Sequence, residues 1–216
     1  HIHSDPADTV EKVSWLKLLF IRETWTFAIA KFLTDPVWWL WLFWLPDFFK
    51  KTYSLDLKTF GPPVVAVYLL SDVGSVAGGW LSSTLIRRGL SVNMARKATL
   101  FVFALLALPV LFAQGASNLW AAVLIIGLAA AAHQAFSANV LTLPSDLVPR
   151  AAVGSVIGIG GMAGAVGGMF FSKFVGYILD KTHNYSIIFM MAAGAYLLAF
   201  VVIHLLSPKL RRNTSL

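Results

Sequence analysis

Lys31 and Asp35 stand inside the otherwise apolar run KFLTDPVWWLWLFWLPDFF. Four residues apart on a helix they share a face, so they can lock together or offer a cation to an anion and a carboxylate to a proton. Asp72 lies in a second such run, YLLSDVGSVAGGW, where it can carry a proton or hydrogen-bond across a helix bundle. A third run, HQAFSANVLT, brings His133, Gln134, Ser137, Asn139 and Thr142. His133 and Ser137 are one helical turn apart and Gln134 precedes Ser137 by three. They make a polar stripe that a neighbouring helix can satisfy, though its density favours water or a hydroxylated ligand. His133 can also titrate there.

Other chemistries find no support. His1 and His3 are alone in the terminal stretch, and no nucleophile, base and acid occur together. The glycines of GIGGMAGAVGG lie in an apolar run and lack a phosphate-loop context. With no cysteine, disulfides and thiolate metal sites are excluded. Neither an enzyme, a metal nor an organic cofactor is expected.

The elements carrying these groups follow from composition. The chain is 58% hydrophobic and 12% charged, with a mean hydropathy of +0.75. A soluble domain carries about a quarter charged residues, and here the apolar residues come in long blocks, which indicates a membrane protein. The net charge of +7 does not signal nucleic acid, because basic residues punctuate the apolar blocks instead of forming a patch interleaved with aromatics.

Six blocks approach the ~20 residues that a helix needs to cross a bilayer: 25–49, 64–86, 98–112, 119–143, 154–179 and 187–206. The third is short and must borrow flanking residues such as Lys97 and Gln114. Residues 1–23 form a polar linker with an amphipathic lead-in; residues 24–206 form the transmembrane domain, and 207–216 a basic tail. The first residues lack an initiator Met and a signal-peptide pattern, which fits a piece of something longer. On one side lie Lys12, Lys17, Arg22, Arg87, Arg88, Arg96, Lys97, Arg150, Lys209, Arg211 and Arg212; on the other, Lys50, Lys51, Lys58 and Lys181. The excess on the first side assigns both termini to the cytoplasm.

At ~1.5 Å per residue, Asp35 lies roughly 15 Å past Trp25, near the bilayer centre. Pro36 removes a backbone hydrogen bond and is expected to open the helix there, as in transporters that build polar sites on interrupted helices. Trp44 sits at interface depth. Trp38, Trp39 and Trp41 are deeper, where indoles stack on a sugar ring or fill space, and packing suffices for two of the three. Lys173 and His204, near span ends, can snorkel. Gly154 and Gly158, then Gly160, Gly164 and Gly168, make a small-residue ridge for close helix approach.

Four stretches, FLTDPVWWLWLFWLPDFF, GGWLSSTLIRRGLSVNMARK, AAHQAFSANVLTLPSDLVP and AVGSVIGIGGMAGAVGG, resemble the second half of the hexuronate transporters. These belong to the anion:cation symporter branch of the major facilitator superfamily. The resemblance covers nearly the whole chain and implies helices seven to twelve of a twelve-helix fold, with the N-terminal six-helix half as the missing partner. It implies proton-driven uptake of glucuronate or galacturonate across a bacterial inner membrane, with H+ as coupling ion and no other cofactor. Asp35, Trp38, Trp39, His133, Gln134, Asn139 and Thr142 would line the cavity, and Lys31, Asp35 and Asp72 would serve as ion-pair or proton groups. Gly79, Arg87, Arg88 and Arg96 fall on the family's loop motif, with Ser83 near the place of its acidic residue. In family members the substrate-gripping arginine and the titrating carboxylates belong largely to the first half. Gly161 stands where aldonate-carrying relatives have an asparagine, which favours a hexuronate. A related aldonate or aldarate carrier and a non-transporting six-helix module are the alternatives.

Overall fold

The structure is a computed structural model that describes residues 14–56 and 58–213. His1, His3, Lys12 and the first part of the expected linker lie outside the described residues, as do the last three of the tail. Among the described residues every regular element is a helix.

A short lead-in, α1 (Trp15–Leu19), precedes α2 (Arg22–Phe43). The expectation of one span over 25–49 is corrected: the helix divides at Trp44, and α3 (Leu45–Tyr53) follows. Pro46, in the first turn of α3, has no N–H to donate backwards. At Pro36, by contrast, α2 continues, so the expected opening does not occur there. Next, α4 (Gly61–Arg87) starts on Pro62 and Pro63, which suit a first turn that lacks N–H partners. It ends where Gly89 takes φ +94° and the Gly89 and Leu90 N–H groups donate back to Ile86 and Leu85.

Ser91 caps α5 (Val92–Leu106), which tightens after Ala107 into a 3₁₀ segment, Leu108–Gly115, beginning around Pro109. The combined run contains Lys97 and Gln114, the borrowed residues expected for the short third block. Asn118 caps α6 (Leu119–Val140), accepting from the Ala121 N–H at 3.0 Å. Then follow α7 (Leu143–Leu147), α8 (Arg150–Thr182) and α9 (Ser186–Leu206). Among the described residues five segments are long and apolar enough to cross a bilayer: Gly61–Arg87, Val92–Gly115, Leu119–Leu147, Arg150–Thr182 and Ser186–Leu206. Although α2, which holds Lys31 and Asp35, is not among these five, it packs along α8 and α9 and against α6, burying Phe27, Val37, Leu40 and Trp41.

Small residues set both of the closest pairings. Between α4 and α6, an added Cβ at Gly78 would lie 2.5 Å from the Ala135 Cα, and one at Gly74 would overlap the Ala131 backbone. Between α2 and α8, Gly160, Gly164, Gly167 and Gly168 receive Phe27, Asp35, Phe32 with Pro36, and Trp39 respectively. The expected ridge is therefore corrected. Among the described residues Gly154 has no neighbour within 4 Å and Gly158 meets only the Trp15 ring at 3.9 Å. At 100° per residue they fall on an adjacent face of α8, together with Gly161, which is also open. Large apolar side chains, among them Leu69, Val76, Phe112 and Leu205, stand exposed around the bundle, as a lipid-facing surface requires.

The basic tail is not free where it is described. Buried Lys97 donates to the carbonyls of Ser207 at 2.8 Å and Pro208 at 2.6 Å, satisfying oxygens left bare where α9 ends. Leu210 N–H donates to Asn93, Arg212 to the Ser145 carbonyl, and Asn213 N–H to the Leu147 carbonyl.

Candidate functional site

The α-helical repeat brings Lys31 Nζ to 2.7 Å from Asp35 Oδ1 within α2. Both are partly enclosed, their side chains 13% and 20% accessible, so the pair is shielded while an approach remains open. Asp35 reaches this position because position 164 on α8 is glycine: any Cβ there would occupy the space of Asp35 Oδ2. One turn further along, the Trp38 ring stacks on His133 of α6, centroids 5.2 Å apart and planes 12° from parallel. His133 is buried and its Nδ1 lies 3.0 Å from the hydroxyl of Tyr196 on α9. Three helices therefore converge on one charged and aromatic cluster. Tyr196 carried no sequence signal, being one tyrosine in an apolar run with its partner 63 positions away.

The polar stripe of α6 divides. Gln134 is half-buried and has no hydrogen-bond partner among the described residues. His133 is sealed against Trp38 and Tyr196. Asn139 and Thr142 depart from the expected cavity-lining role. Asn139 is fully buried and donates to the carbonyls of Gly78 at 3.0 Å and Ala135 at 2.9 Å, stitching α6 to α4. Thr142 donates to the Asn139 carbonyl at 2.7 Å, closing the end of α6.

Asn139 belongs to a network around Arg96. The guanidinium donates to Asp146 Oδ2 at 3.2 Å, to Ser82 Oγ at 2.8 Å and to Asn139 Oδ1 at 3.4 Å. Asp146, in α7, thus supplies a carboxylate that was not singled out from sequence; it lies 50 positions on. Arg87 and Arg88 are exposed, and Arg87 donates to Thr84 at 3.2 Å. Gly79 has open space around it; its neighbour Gly78 makes the helix contact, because α4 turns Ser71, Gly74 and Gly78 inward. The same rotation exposes Asp72 on an outward face beside Val73, Val76 and Trp80, which corrects the expectation of a bond across the bundle.

Trp41 is buried against Phe189, a packing role. Trp39 and Trp44 line an open groove of about 830 Å3 between α2 and α8, with Asp47 and Ser172 on its wall. Asp47 Oδ2 accepts from the Tyr185 hydroxyl at 2.6 Å and from Lys51 at 2.9 Å. Gln114 accepts from the Tyr185 N–H at 3.0 Å. Burial first, and then the Asp47 carboxylate, push the Tyr185 phenol above its ordinary value.

Fold and cluster together describe a multi-pass helical membrane protein that keeps an ion pair between packed helices. No family model matches the chain. Over 199 residues, 91% of this chain, it is 30% identical to a hexuronate transporter of Escherichia coli (strain K12). It is 26% identical to the chloroplastic ascorbate transporter of Arabidopsis thaliana over 92% of this chain, and 25% identical to a probable L-galactonate transporter of Escherichia coli (strain K12) over 90%. These alignments cover 46%, 37% and 44% of the respective relatives, so the chain spans about half the length of the curated relatives it matches. Its homologues are hexuronate and other anion transporters of the major facilitator superfamily, and those named are transporters, not enzymes.

Proposed function

We propose that the chain forms helices seven to twelve of a proton-coupled sugar-acid transporter, with hexuronates as substrates, working by alternating access in a bacterial inner membrane. In this reading α2 is the sixth crossing, both termini are cytoplasmic, and a second six-helix half completes the cavity. The observation that carries the reading is the Lys31–Asp35 pair, shielded yet partly accessible, in a chain whose relatives are anion transporters. An ion pair in the bilayer core costs too much to keep without a partner or a role.

The chemistry is an exchange at Lys31. When Asp35 is ionised it holds the ammonium. When Asp35 takes a proton, Lys31 is released to pair with the substrate carboxylate. Loss of that proton restores the Asp35 charge, which competes for Lys31 and expels the anion. Gln134, with its amide unpaired, donates to and accepts from ring hydroxyls. Trp39 offers an indole face to a pyranose ring, whereas the Trp38 face toward His133 is already covered.

Uptake of labelled glucuronate and galacturonate by cells expressing the full transporter tests this. Lys31→Gln should abolish uptake and Gln134→Ala should weaken it, both with protein still in the membrane. Full uptake by Lys31→Gln would falsify the exchange. Galactonate competing as well as either uronate would favour the aldonate alternative, which the 25% identical relative supports.

A further inference from the structure

Where the tail folds back, Arg22 at the start of α2 and Lys209, Arg211 and Arg212 surround an open cavity of about 520 Å3, with Glu23 and Ser207 in its wall. Four cations face one carboxylate. Glu23 is buried and its Oε1 lies 3.6 Å from Arg22 Nε, so the acid leaves most of the positive charge unbalanced. The arrangement is fixed and not a loose polybasic tail. Asn93, Ser145 and Leu147 hold residues 210, 212 and 213 by hydrogen bonds, while the side chains of Lys209 and Arg211 have no such partner among the described residues.

The surroundings bear on what fills this cavity. Trp15, Phe20 and Trp25 stand 56%, 87% and 46% exposed on and beside α1, within a few residues of Arg22. Trp25 keeps its indole N–H satisfied by the Leu19 carbonyl at 2.8 Å. Indoles with a satisfied polar edge and a bare apolar face collect at the headgroup level of a bilayer. The charge asymmetry assigns this end of the bundle to the cytoplasmic leaflet, where anionic lipids concentrate.

The geometry points to a binding site for the phosphate of an anionic phospholipid. Two guanidinium forks, from the start of α2 and from the tail, reach one phosphodiester at membrane depth, and the acyl chains pass along the exposed rings of Trp15, Phe20 and Trp25. Arginine suits this ligand because its fork matches two phosphate oxygens at once. A bound lipid then ties the tail to α2. This inference stands apart from the substrate reading and survives its failure.

Native mass spectrometry and thermal unfolding of the full chain in detergent, with phosphatidylglycerol or phosphatidylcholine added, test the site. Phosphatidylglycerol should be retained in preference and raise the melting temperature. Lys209→Gln with Arg211→Gln, which removes two charges and no hydrogen bond, should weaken retention roughly 20- to 30-fold. Inorganic phosphate and glycerol 3-phosphate form the soluble arm and should not match the lipid. Equal retention of phosphatidylcholine, an unaffected double variant, or equal stabilisation by inorganic phosphate would each overturn the assignment.

Discussion

The carbonyl oxygen of Phe32 lies against Gly167, so close that a Cβ on the glycine would come within 2.5 Å of it. Pro36 removes the donor this oxygen would meet in a regular helix: four residues on, it has no N–H. Its own ring packs on the same glycine, 3.1 Å from that Cβ position. The proline leaves α2 continuous, and the Phe32 carbonyl faces a glycine whose bare Cα admits a C–H···O contact. Gly167→Ala should destabilise the bundle by about 1–3 kcal/mol through overpacking. Gly161→Ala, on the open face, should leave thermal unfolding in detergent unchanged. Equal melting of both variants would remove the close contact from the account.

Breaking the Lys31–Asp35 pair leaves one charge without its partner. Lys31→Ala or Asp35→Ala should each cost on the order of 3 kcal/mol, the low end for enclosed pairs because both side chains retain some access. The double variant should cost less than the two singles summed. A double-mutant cycle on unfolding free energy measures this coupling, and strict additivity would mean that the two groups are stabilised independently.

Tyr196→Phe removes the hydroxyl beside His133 Nδ1 and leaves a buried ring nitrogen unsatisfied. Stability should fall by about 1–3 kcal/mol. Uptake should persist at a temperature where the variant is folded, since Lys31 and Gln134 are untouched. Loss of uptake in a folded variant would give Tyr196 a direct part in transport.

Arg96 holds Ser82, Asn139 and Asp146 in one network. In a full transporter otherwise free of cysteine, a single introduced thiol in this chain, which has none, reports cleanly. Ser82 is fully buried, and Ser82→Cys should react slowly with a membrane-impermeant maleimide in inverted vesicles. Adding Arg96→Gln should raise that rate by tenfold or more, and Asp146→Asn by less, because Asn139 still holds the guanidinium. An unaltered rate in the Arg96 variant would show that the end stays shut without the network.

Outside the spans, Tyr185 links folding to alkaline pH. Burial and the Asp47 carboxylate hold its phenol above the unfolded value of about 10. The folded state thus keeps a proton that the unfolded chain gives up. The resulting stability is fully present below about pH 10 and declines as pH rises through the folded value. Melting temperature followed from pH 8 upward should fall above about pH 10, and Tyr185→Phe should flatten the part that Tyr185 contributes. A profile identical in wild type and variant would exclude Tyr185 as its source.

Much of this was readable in one dimension. Blocks of apolar residues dictate membrane helices because transfer into lipid depends on composition along the chain. Lys31 meets Asp35 because one helical turn separates them. The resemblance to anion transporters likewise rested on contiguous stretches, and the relatives share it.

The azimuth of each helix was decided only in three dimensions. Periodicity places Gly154, Gly158, Gly160 and Gly164 all on α8, but packing alone selects which of them meet α2. Asn139 and Asp72 exchange their expected roles for the same reason, one rotated into the α4 contact and the other out of it. The pairs Tyr196 with His133 and Asp146 with Arg96 join residues 63 and 50 positions apart. An apolar helix surface is nearly uniform in hydropathy, so its rotation is set by the shapes and few polar groups of its neighbours, which no single stretch of chain contains.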